Sequence, residues 1–187
     1  MSRIIAGKYR GRRLEVPAGK AVRPTSSRMR ERVFSILEHG RYPDMADARV
    51  ADLFAGSGAL GLEALSRGAA SVTFVEKSPA SVACLRTNIR ALGADKNATL
   101  LQTSARNLPA AQAPYTFVFM DPPYGKGLVE PTLEGLVSAG WVATNSVIIC
   151  ELESDSPLSH PTTLEIVDDR TQGKQRTVFL SLFSDGK

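Results

Sequence analysis

A short polar motif, Asp121-Pro122-Pro123-Tyr124, directly follows the apolar run Phe117-Val118-Phe119-Met120. An amino group on an aromatic ring is a poor nucleophile because its lone pair is delocalised into the ring. A carboxylate (Asp121) and a proline-held carbonyl (Pro122) can accept its two N–H groups and aim that lone pair at an electrophile. Pro123 stiffens the turn, and Tyr124 can stack on a base. The motif predicts chemistry at an exocyclic amine of a base, although these four residues could also simply end a strand.

A second motif, residues 52–61, reads Asp-Leu-Phe-Ala-Gly-Ser-Gly-Ala-Leu-Gly. Gly56 and Gly58 lack Cβ atoms, so a ligand can approach the backbone closely there. Glu76 ends the next predicted strand, where it can accept hydrogen bonds from both hydroxyls of a ribose. The pattern predicts a site for a nucleoside-bearing cofactor. The residues assigned to it in this part of the chain are Asp52, Phe54, Gly56, Ser57, Gly58 and Glu76.

The identity of the cofactor is ambiguous from this motif alone. Gly56-x-Gly58-x-x-Gly61 with Glu76 also satisfies the dinucleotide fingerprint, so a nicotinamide-dependent oxidoreductase is one alternative. Asp52 could instead contact a cationic group of the methionine type, and no His or Lys pairing suited to hydride transfer is evident. The 121–124 motif favours S-adenosylmethionine. Direct methyl transfer needs no metal, and we expect none.

The order of predicted elements positions both motifs at strand ends. Strand-like and helix-like segments alternate from residue 49 onward, which is typical of parallel βαβ units. The sequence therefore predicts an α/β protein with a doubly wound, Rossmann-like, seven-stranded and mostly parallel sheet. Predicted strands cover 49–54, 71–76, 98–102, 115–120 and 146–151, predicted helices cover 59–67, 79–92 and 129–139, and an antiparallel C-terminal hairpin covers 162–168 and 176–183.

The first 40 residues differ from the rest in charge. They hold ten basic and three acidic residues, a net of +7, while the other 147 residues hold thirteen basic and sixteen acidic, a net of −3. We predict a basic N-terminal extension (1–40), with a hairpin of residues 3–6 and 12–16 and a helix over 28–38, ahead of a catalytic domain (41–187). Such an extension can neutralise the phosphates of a nucleic acid, although a solvated charged surface would look the same. The candidate phosphate contacts are Arg10, Arg12, Arg13 and Arg23.

Length and composition bound the class of protein. A chain of 187 residues with 43% apolar content can bury one good core. Its apolar runs are far shorter than the roughly 20 residues that span a bilayer, and no signal peptide is apparent. We expect a soluble, cytoplasmic protein without membrane contact, and a monomer. The two cysteines, Cys84 and Cys150, lack partners at metal-binding spacing and are expected to be inert core residues.

At these motifs the chain resembles the bacterial small-subunit (16S) ribosomal RNA guanine-N2 methyltransferases. The matching segments are 3–14, 23–25 (Arg-Pro-Thr), 30–31, 52–68 and 121–124. The resemblance implies a class I methyltransferase that uses S-adenosylmethionine and produces N2-methylguanosine in ribosomal RNA, either naked or in a small-subunit assembly particle. It also places Thr25 and Pro123 with the substrate-binding residues.

Two departures from that family pattern affect the assignment. Similar enzymes often carry Asp or Asn after the third strand to bind adenine, whereas this chain has Thr103-Ser104-Ala105, so we assign that role to Ser104. The turn at Gln172-Gly173 lacks an aromatic residue present in many relatives. Other functions remain open at this point: methylation of adenine N6 or cytosine N4 in DNA or of a glutamine amide, and RNA binding without catalysis.

Overall fold

The computed structural model describes residues 2–17 and 27–183. Arg23 and Thr25 lie outside these residues. Three of the four helices alternate with the strands of one sheet. The strands of that sheet are β3 (Arg49–Leu53), β4 (Ser71–Val75), β5 (Ala98–Leu101), β6 (Phe117–Met120), β7 (Val147–Glu153), β8 (Leu164–Gln172) and β9 (Gln175–Leu182), and the helices are α1 (Ser27–His39), α2 (Ala59–Ser66), α3 (Pro79–Leu92) and α4 (Val129–Ser138).

The seven strands form a doubly wound sheet in the order β5-β4-β3-β6-β7-β9-β8. Strands β3 to β7 are parallel, and β9 runs antiparallel to both of its neighbours. The chain moves outward from β3 to β4 and β5, and then returns to place β6 on the other side of β3. Parallel sheets bind ligands at such a reversal, at the carboxyl ends of the strands. The predicted fold class is confirmed.

Both faces of the sheet are covered, which explains the continuous apolar character of its central strands. Phe117 and Phe119 of β6 belong to the core on one face, together with residues of α1, α2 and α3. Val118 and Met120 belong to the core on the other face, together with α4 and Trp141. The alternation along β6 therefore fixes which helices lie on which side.

The N-terminal hairpin is shorter than expected, with β1 (Ser2–Arg3) pairing only with β2 (Arg13–Leu14). Ile4 extends the pairing by one residue, donating to the Arg12 carbonyl at 3.0 Å and accepting the N–H of Gly11 at 2.9 Å, and the residues after it bond to α2. The Glu63 carboxylate accepts the N–H groups of Ile5 and Ala6 at 2.8 and 3.0 Å. The Ser66 hydroxyl accepts the N–H of Tyr9 at 2.9 Å. These long-range bonds satisfy backbone groups that a longer ladder would otherwise have used.

Helix α1 fastens this hairpin to the sheet. Its apolar face packs on β6, where the Phe34 and Phe119 rings lie 5.4 Å apart. Arg30, on the same helix, is fully buried and donates to the Ser2 hydroxyl at 2.9 Å and the Arg3 carbonyl at 2.7 Å. Burial lowers the pKa of Arg30, and the nearby Glu63 partly offsets this.

The C-terminal hairpin was predicted in the right place, but β8 is longer than the expected strand. A two-residue turn at Gly173 and Lys174 joins β8 to β9, so pairing continues to Gln172 opposite Gln175. Gly173 has a φ of +59°, which such tight turns favour. Within residues 2–17 and 27–183, no helix has both the length and the apolar character needed to cross a membrane.

Candidate active site at the carboxyl edge of the sheet

The two sequence motifs and Glu76 come together at adjacent strand ends. Leu53, the last residue of β3, pairs with Val75 of β4 on one side and Met120 of β6 on the other. Phe54, Glu76 and Asp121 are therefore the next residues at three neighbouring loops. Ser104 follows β5 at the same edge. This juxtaposition is what a shared site for two substrates requires.

The loop from Phe54 to Gly58, here called the glycine loop, is held by hydrogen bonds from its own backbone. The N–H of Gly56 donates to Glu76 Oε2 at 2.8 Å, and the N–H of Gly58 donates to the Ala55 carbonyl at 2.7 Å. Phe54 has a φ of +59°, which non-glycine residues seldom adopt. Such backbone strain is common at functional sites.

The two glycines of this loop serve different purposes. A Cβ added to Gly56 would come no closer than 3.9 Å to the nearest atom, so the backbone there faces open space. A Cβ added to Gly58 would lie 2.3 Å from Leu85 Cδ1. Gly56 therefore allows a ligand to approach, whereas Gly58 allows α3 to pack against the loop.

Asp52 lies beneath the loop and is almost fully buried. Its Oδ2 accepts the N–H of Gly61 at 2.8 Å, which satisfies one of the free N–H groups in the first turn of α2. Burial, with a smaller contribution from the charges of Asp121 and Glu76, raises its pKa to about 8 against the lowering effect of the Gly61 bond. We therefore expect Asp52 to hold a proton at neutral pH.

Glu76 joins the glycine loop to the start of α3. Besides the Gly56 bond, its Oε1 accepts the N–H of Ser78 at 2.8 Å, and Ser78 is the N-cap of α3. A carboxylate has about four acceptor positions, so Glu76 retains capacity for the hydroxyls of a bound ribose.

The turn at 121–127, here called the catalytic turn, projects from β6 toward solvent. Pro122 is buried and Asp121 and Tyr124 are half-buried, whereas Pro123 is exposed. The charge of Asp121 acts on Asp52, and it contributes, after burial and the charge of Glu151, to the raised pKa of Cys150 on β7. The charge of the catalytic turn is therefore felt by Asp52, the residue beneath the glycine loop.

Ser104 lies at the margin of this site. Its hydroxyl accepts the N–H of Arg106 at 3.3 Å. It also lines an open groove of about 510 Å³ between its own loop and α4, together with Asn107 and Glu134. The structure places Ser104 beside a cavity, and the adenine-binding role stays a prediction.

The basic residues of the extension fall into two groups. Arg10 and Arg13 are exposed, and Arg12, also exposed, donates to the Ala91 carbonyl at the end of α3. Arg30 and Arg32 are structural, because Arg30 is buried against the hairpin and Arg32 forms an ion pair with the buried Glu151. Part of the charge counted in the first 40 residues is therefore unavailable to a partner.

Sequence reasoning missed Asn88, which contacts the glycine loop from α3. This side chain is 1% exposed and donates to the Ser57 carbonyl at 2.9 Å. It lies three residues after the buried Leu85, on the face that packs against the body. A large polar residue among Val82, Leu85, Ile89 and Leu92 on the buried helix face was the signal that could have identified it.

A doubly wound sheet with a glycine loop after β3, an acid after β4 and Asp-Pro-Pro-Tyr after β6 defines a class I methyltransferase. The family described as Conserved hypothetical protein 95 matches residues 2–181. "Ribosomal RNA small subunit methyltransferase D" of Escherichia coli K12 is 43% identical over 157 residues, covering 83% of this chain and 77% of that protein. The protein of the same name from Haemophilus influenzae Rd is 35% identical over 175 residues, covering 91% and 89%.

Solved structures agree with the sequence relatives. The Escherichia coli protein yhhF superposes with a TM-score of 0.83 at 37% identity, covering 97% of each chain. The hypothetical protein TTHA0928 of Thermus thermophilus gives a TM-score of 0.77 at 29% identity, covering 97% of this chain and 100% of that one. The chain therefore belongs to a family of bacterial ribosomal RNA methyltransferases, which confirms the resemblance found in its motifs.

Proposed function

We propose that this protein transfers a methyl group from S-adenosylmethionine to the exocyclic N2 amine of a guanine in 16S, small-subunit ribosomal RNA. The observation that carries the proposal is the position of Asp121 and Pro122 at the end of β6, next to the glycine loop at the end of β3. The names of the relatives from Escherichia coli and Haemophilus influenzae support ribosomal RNA as the substrate. They favour neither of the alternatives, methylation of DNA or a nicotinamide-dependent oxidation.

The glycine loop fits the proposed cofactor. The open backbone at Gly56 and the spare acceptor capacity of Glu76 suit a nucleoside, and the Glu76 and Asp121 carboxylates suit a cation. When bound, S-adenosylmethionine supplies an electrophilic methyl group on a positively charged sulfur. The residues proposed to hold it are Phe54, Gly56, Ser57, Gly58, Glu76 and Ser104, with Asp52 supporting the loop from below.

The catalytic turn is proposed to prepare the amine. The Asp121 carboxylate and the Pro122 carbonyl accept the two N–H groups, which makes the nitrogen more tetrahedral and its lone pair available. The charge of Asp121 also stabilises the positive charge that develops on nitrogen. Tyr124 stacks on the extruded base and Pro123 contacts its edge, a mode of binding worth about 1–3 kcal/mol per stacked base.

An experiment in cells tests the chemistry and the substrate together. In cells that lack the protein, nucleoside mass spectrometry should show loss of N2-methylguanosine at one position of the small-subunit RNA. The wild-type protein should restore it and Asp121→Ala should not. Unchanged N2-methylguanosine would refute the proposal, and loss of a methylated adenine or cytosine instead would assign the chemistry to another base.

The basic extension, residues 1–40, is proposed to bind RNA in the cytoplasm, where a monomer of this protein acts on the free RNA or the assembling particle. If Arg10, Arg12, Arg13 and Arg23 contact phosphates, replacing all four with Ala should weaken RNA binding and flatten its salt dependence. The slope of log affinity against log salt should change by roughly 0.7 for each lost contact. S-adenosylmethionine affinity should stay the same. The exposed basic pair Lys96 and Lys174, replaced with Ala, is the control.

A further inference from the structure

The amide of Asn88 connects two parts of the chain that are far apart in sequence. Its Oδ1 accepts the N–H of Glu15 at 2.8 Å, and its Nδ2 donates to the Glu15 carbonyl at 3.0 Å. The same Nδ2 donates to the Ser57 carbonyl in the glycine loop at 2.9 Å. One buried side chain thus holds both backbone groups of Glu15 and one carbonyl of the loop. Only an amide offers one acceptor and two donors in this arrangement.

The two partners of Asn88 belong to different proposed sites. Glu15 follows β2 at the end of residues 5–15, here called the basic segment, which carries Arg10, Arg12 and Arg13. Ser57 lies between the open Gly56 and the packed Gly58. Asn88 therefore lies between the segment assigned to RNA and the loop assigned to the methyl donor.

Other contacts fasten the same segment to the helices that start at the cofactor loops. Helix α2 begins after Gly58 and holds Ile5, Ala6 and Tyr9 through Glu63 and Ser66. Helix α3 begins next to Glu76 and holds Arg12 through the Ala91 carbonyl. Among the hydrogen bonds of the described residues, those of Asn88 are the ones that join the glycine loop and the basic segment through a single side chain.

We infer that Asn88 is a positioning residue that couples the basic N-terminal segment to the glycine loop, so that RNA and the methyl donor bind with positive cooperativity. The inference rests on the proposed function. When either ligand orders its own segment, the Asn88 bonds order the other one, and the second ligand then loses less conformational freedom on binding. Thermodynamic linkage requires the effect to be equal in both directions.

The test measures the affinity of a small-subunit ribosomal RNA transcript by fluorescence anisotropy, with and without saturating S-adenosylhomocysteine. For the wild-type protein the expected increase is about fivefold or more, the range typical of coupled sites. In Asn88→Leu, which has nearly the same shape but no hydrogen-bonding groups, the ratio should fall to near one. Thermal melting of each variant verifies that it folds.

Two substitutions of the exposed Glu15 test the same hydrogen bonds from the other partner, and Ser66→Ala is their control. The bonds between Asn88 and Glu15 involve the backbone of Glu15 and not its side chain, so Glu15→Ala should leave the coupling ratio unchanged. Glu15→Pro removes the N–H that Asn88 accepts and should lower the ratio without any change in the core of α3. Ser66→Ala loosens the segment on α2 and does not touch the loop, so it should lower RNA affinity equally with and without S-adenosylhomocysteine.

The outcomes separate the inference from the function on which it rests. If wild-type protein binds neither the transcript nor S-adenosylhomocysteine, the proposed function is wrong. If both bind and the ratio is one, or if Asn88→Leu and Glu15→Pro both keep the wild-type ratio, the coupling role of Asn88 is wrong and the residue only supports the fold.

Discussion

The glycine loop and the catalytic turn follow neighbouring strands, β3 and β6, but they are built differently. Ala55 and Gly58 of the glycine loop are buried, and Glu76 and Asn88 bond to its backbone. The catalytic turn is exposed at Pro123 and from Gly125 to Gly127. Cβ atoms added to Gly125 or Gly127 would meet nothing within 4 Å.

This difference matches the two ligands that we propose. A small cofactor is always the same molecule, so bonds from the fold, those of Glu76 and Asn88 among them, can hold its loop near the bound position and leave the cofactor only the remaining freedom to remove. A base that belongs to a large RNA must enter from outside, which requires open space around the turn that receives it. We therefore expect changes in the glycine loop to alter stability and cofactor affinity, and changes in the catalytic turn to alter rate.

The largest effect should come from Asp121, since it acts in the transition state. Asp121→Ala should lower the single-turnover methylation rate by about 100-fold or more and leave RNA and cofactor affinities nearly unchanged. Asp121→Asn should lower the rate less than Asp121→Ala, because its amide oxygen still accepts a hydrogen bond. It should still be slower than the wild-type protein, because the amide carries no charge. A near-normal rate for Asp121→Ala would remove the catalytic turn from the mechanism.

Glu76→Ala should act on binding. It removes acceptors for two ribose hydroxyls and also frees the N–H groups of Gly56 and Ser78. S-adenosylmethionine affinity should fall roughly 10- to 100-fold, which corresponds to about 1–3 kcal/mol for unpaired polar groups. Titration calorimetry gives the measurement, with the exposed Glu153→Ala on β7 as the control. Equal affinities of the two variants would argue against a cofactor role for Glu76.

Glycine-to-alanine substitutions in the glycine loop and in the catalytic turn compare how much each region contributes to the free energy of unfolding. A Cβ at Gly58, in the glycine loop, would lie 2.3 Å from Leu85 Cδ1 and would have to keep a φ of +79°, so Gly58→Ala should cost about 2–4 kcal/mol. Gly125→Ala meets no atom but must keep a φ of +66°, which costs about 1 kcal/mol. Urea unfolding measures both.

Gly135→Ala in α4 is the control, with open space around the new Cβ. It should be neutral or stabilising by up to about 1 kcal/mol, since Ala favours helix. If Gly125→Ala destabilises the protein more than Gly58→Ala, the catalytic turn is the more constrained region and the comparison is reversed.

Local signals predicted the elements that carry the site. The bounds of α3 were predicted at both ends because Ser78 caps the helix, Pro79 starts it and Gly93 ends it with a φ of +63°. The strands β3, β4 and β6 were predicted to within two residues, since buried parallel strands are continuously apolar. Their order follows from the alternation of strands and helices, and it brings Glu76 and Asp121 to one edge.

Long-range polar contacts could not be predicted in the same way. Arg30 and Glu63 are fully buried, and besides local bonds to Ser27 and Arg67 they bond to groups of the N-terminal hairpin that lie 27 to 58 residues away in the sequence. A polar residue in an apolar helix can be recognised as buried, but the local pattern does not show which distant group it will bond. The shortened strand pairing at the N-terminus has the same origin, because it depends on where Glu63 lies after folding.

The raised pKa of Asp52 leads us to predict how the stability of the protein depends on pH. Its pKa in the folded protein is about 8, above its ordinary value of 3.8, with burial as the main cause. Between these values the folded protein keeps a proton that the unfolded chain releases. The contribution of Asp52 to stability is therefore present below about pH 4 and is lost as the pH rises through about 8.

Asp52→Asn isolates this effect, because its amide oxygen can still accept the Gly61 N–H but does not ionise. The free energy of unfolding, measured in urea at about pH 5 and about pH 8, should fall with rising pH in the wild-type protein and fall less in the variant. Asp44→Asn is the matched control, since Asp44 is exposed and also accepts a backbone N–H, that of Ala46 at 2.9 Å. It should follow the wild-type curve. If Asp52→Asn also follows that curve, Asp52 is ionised in the folded protein, and its carboxylate would add a third negative charge to those of Asp121 and Glu76 at this edge of the sheet.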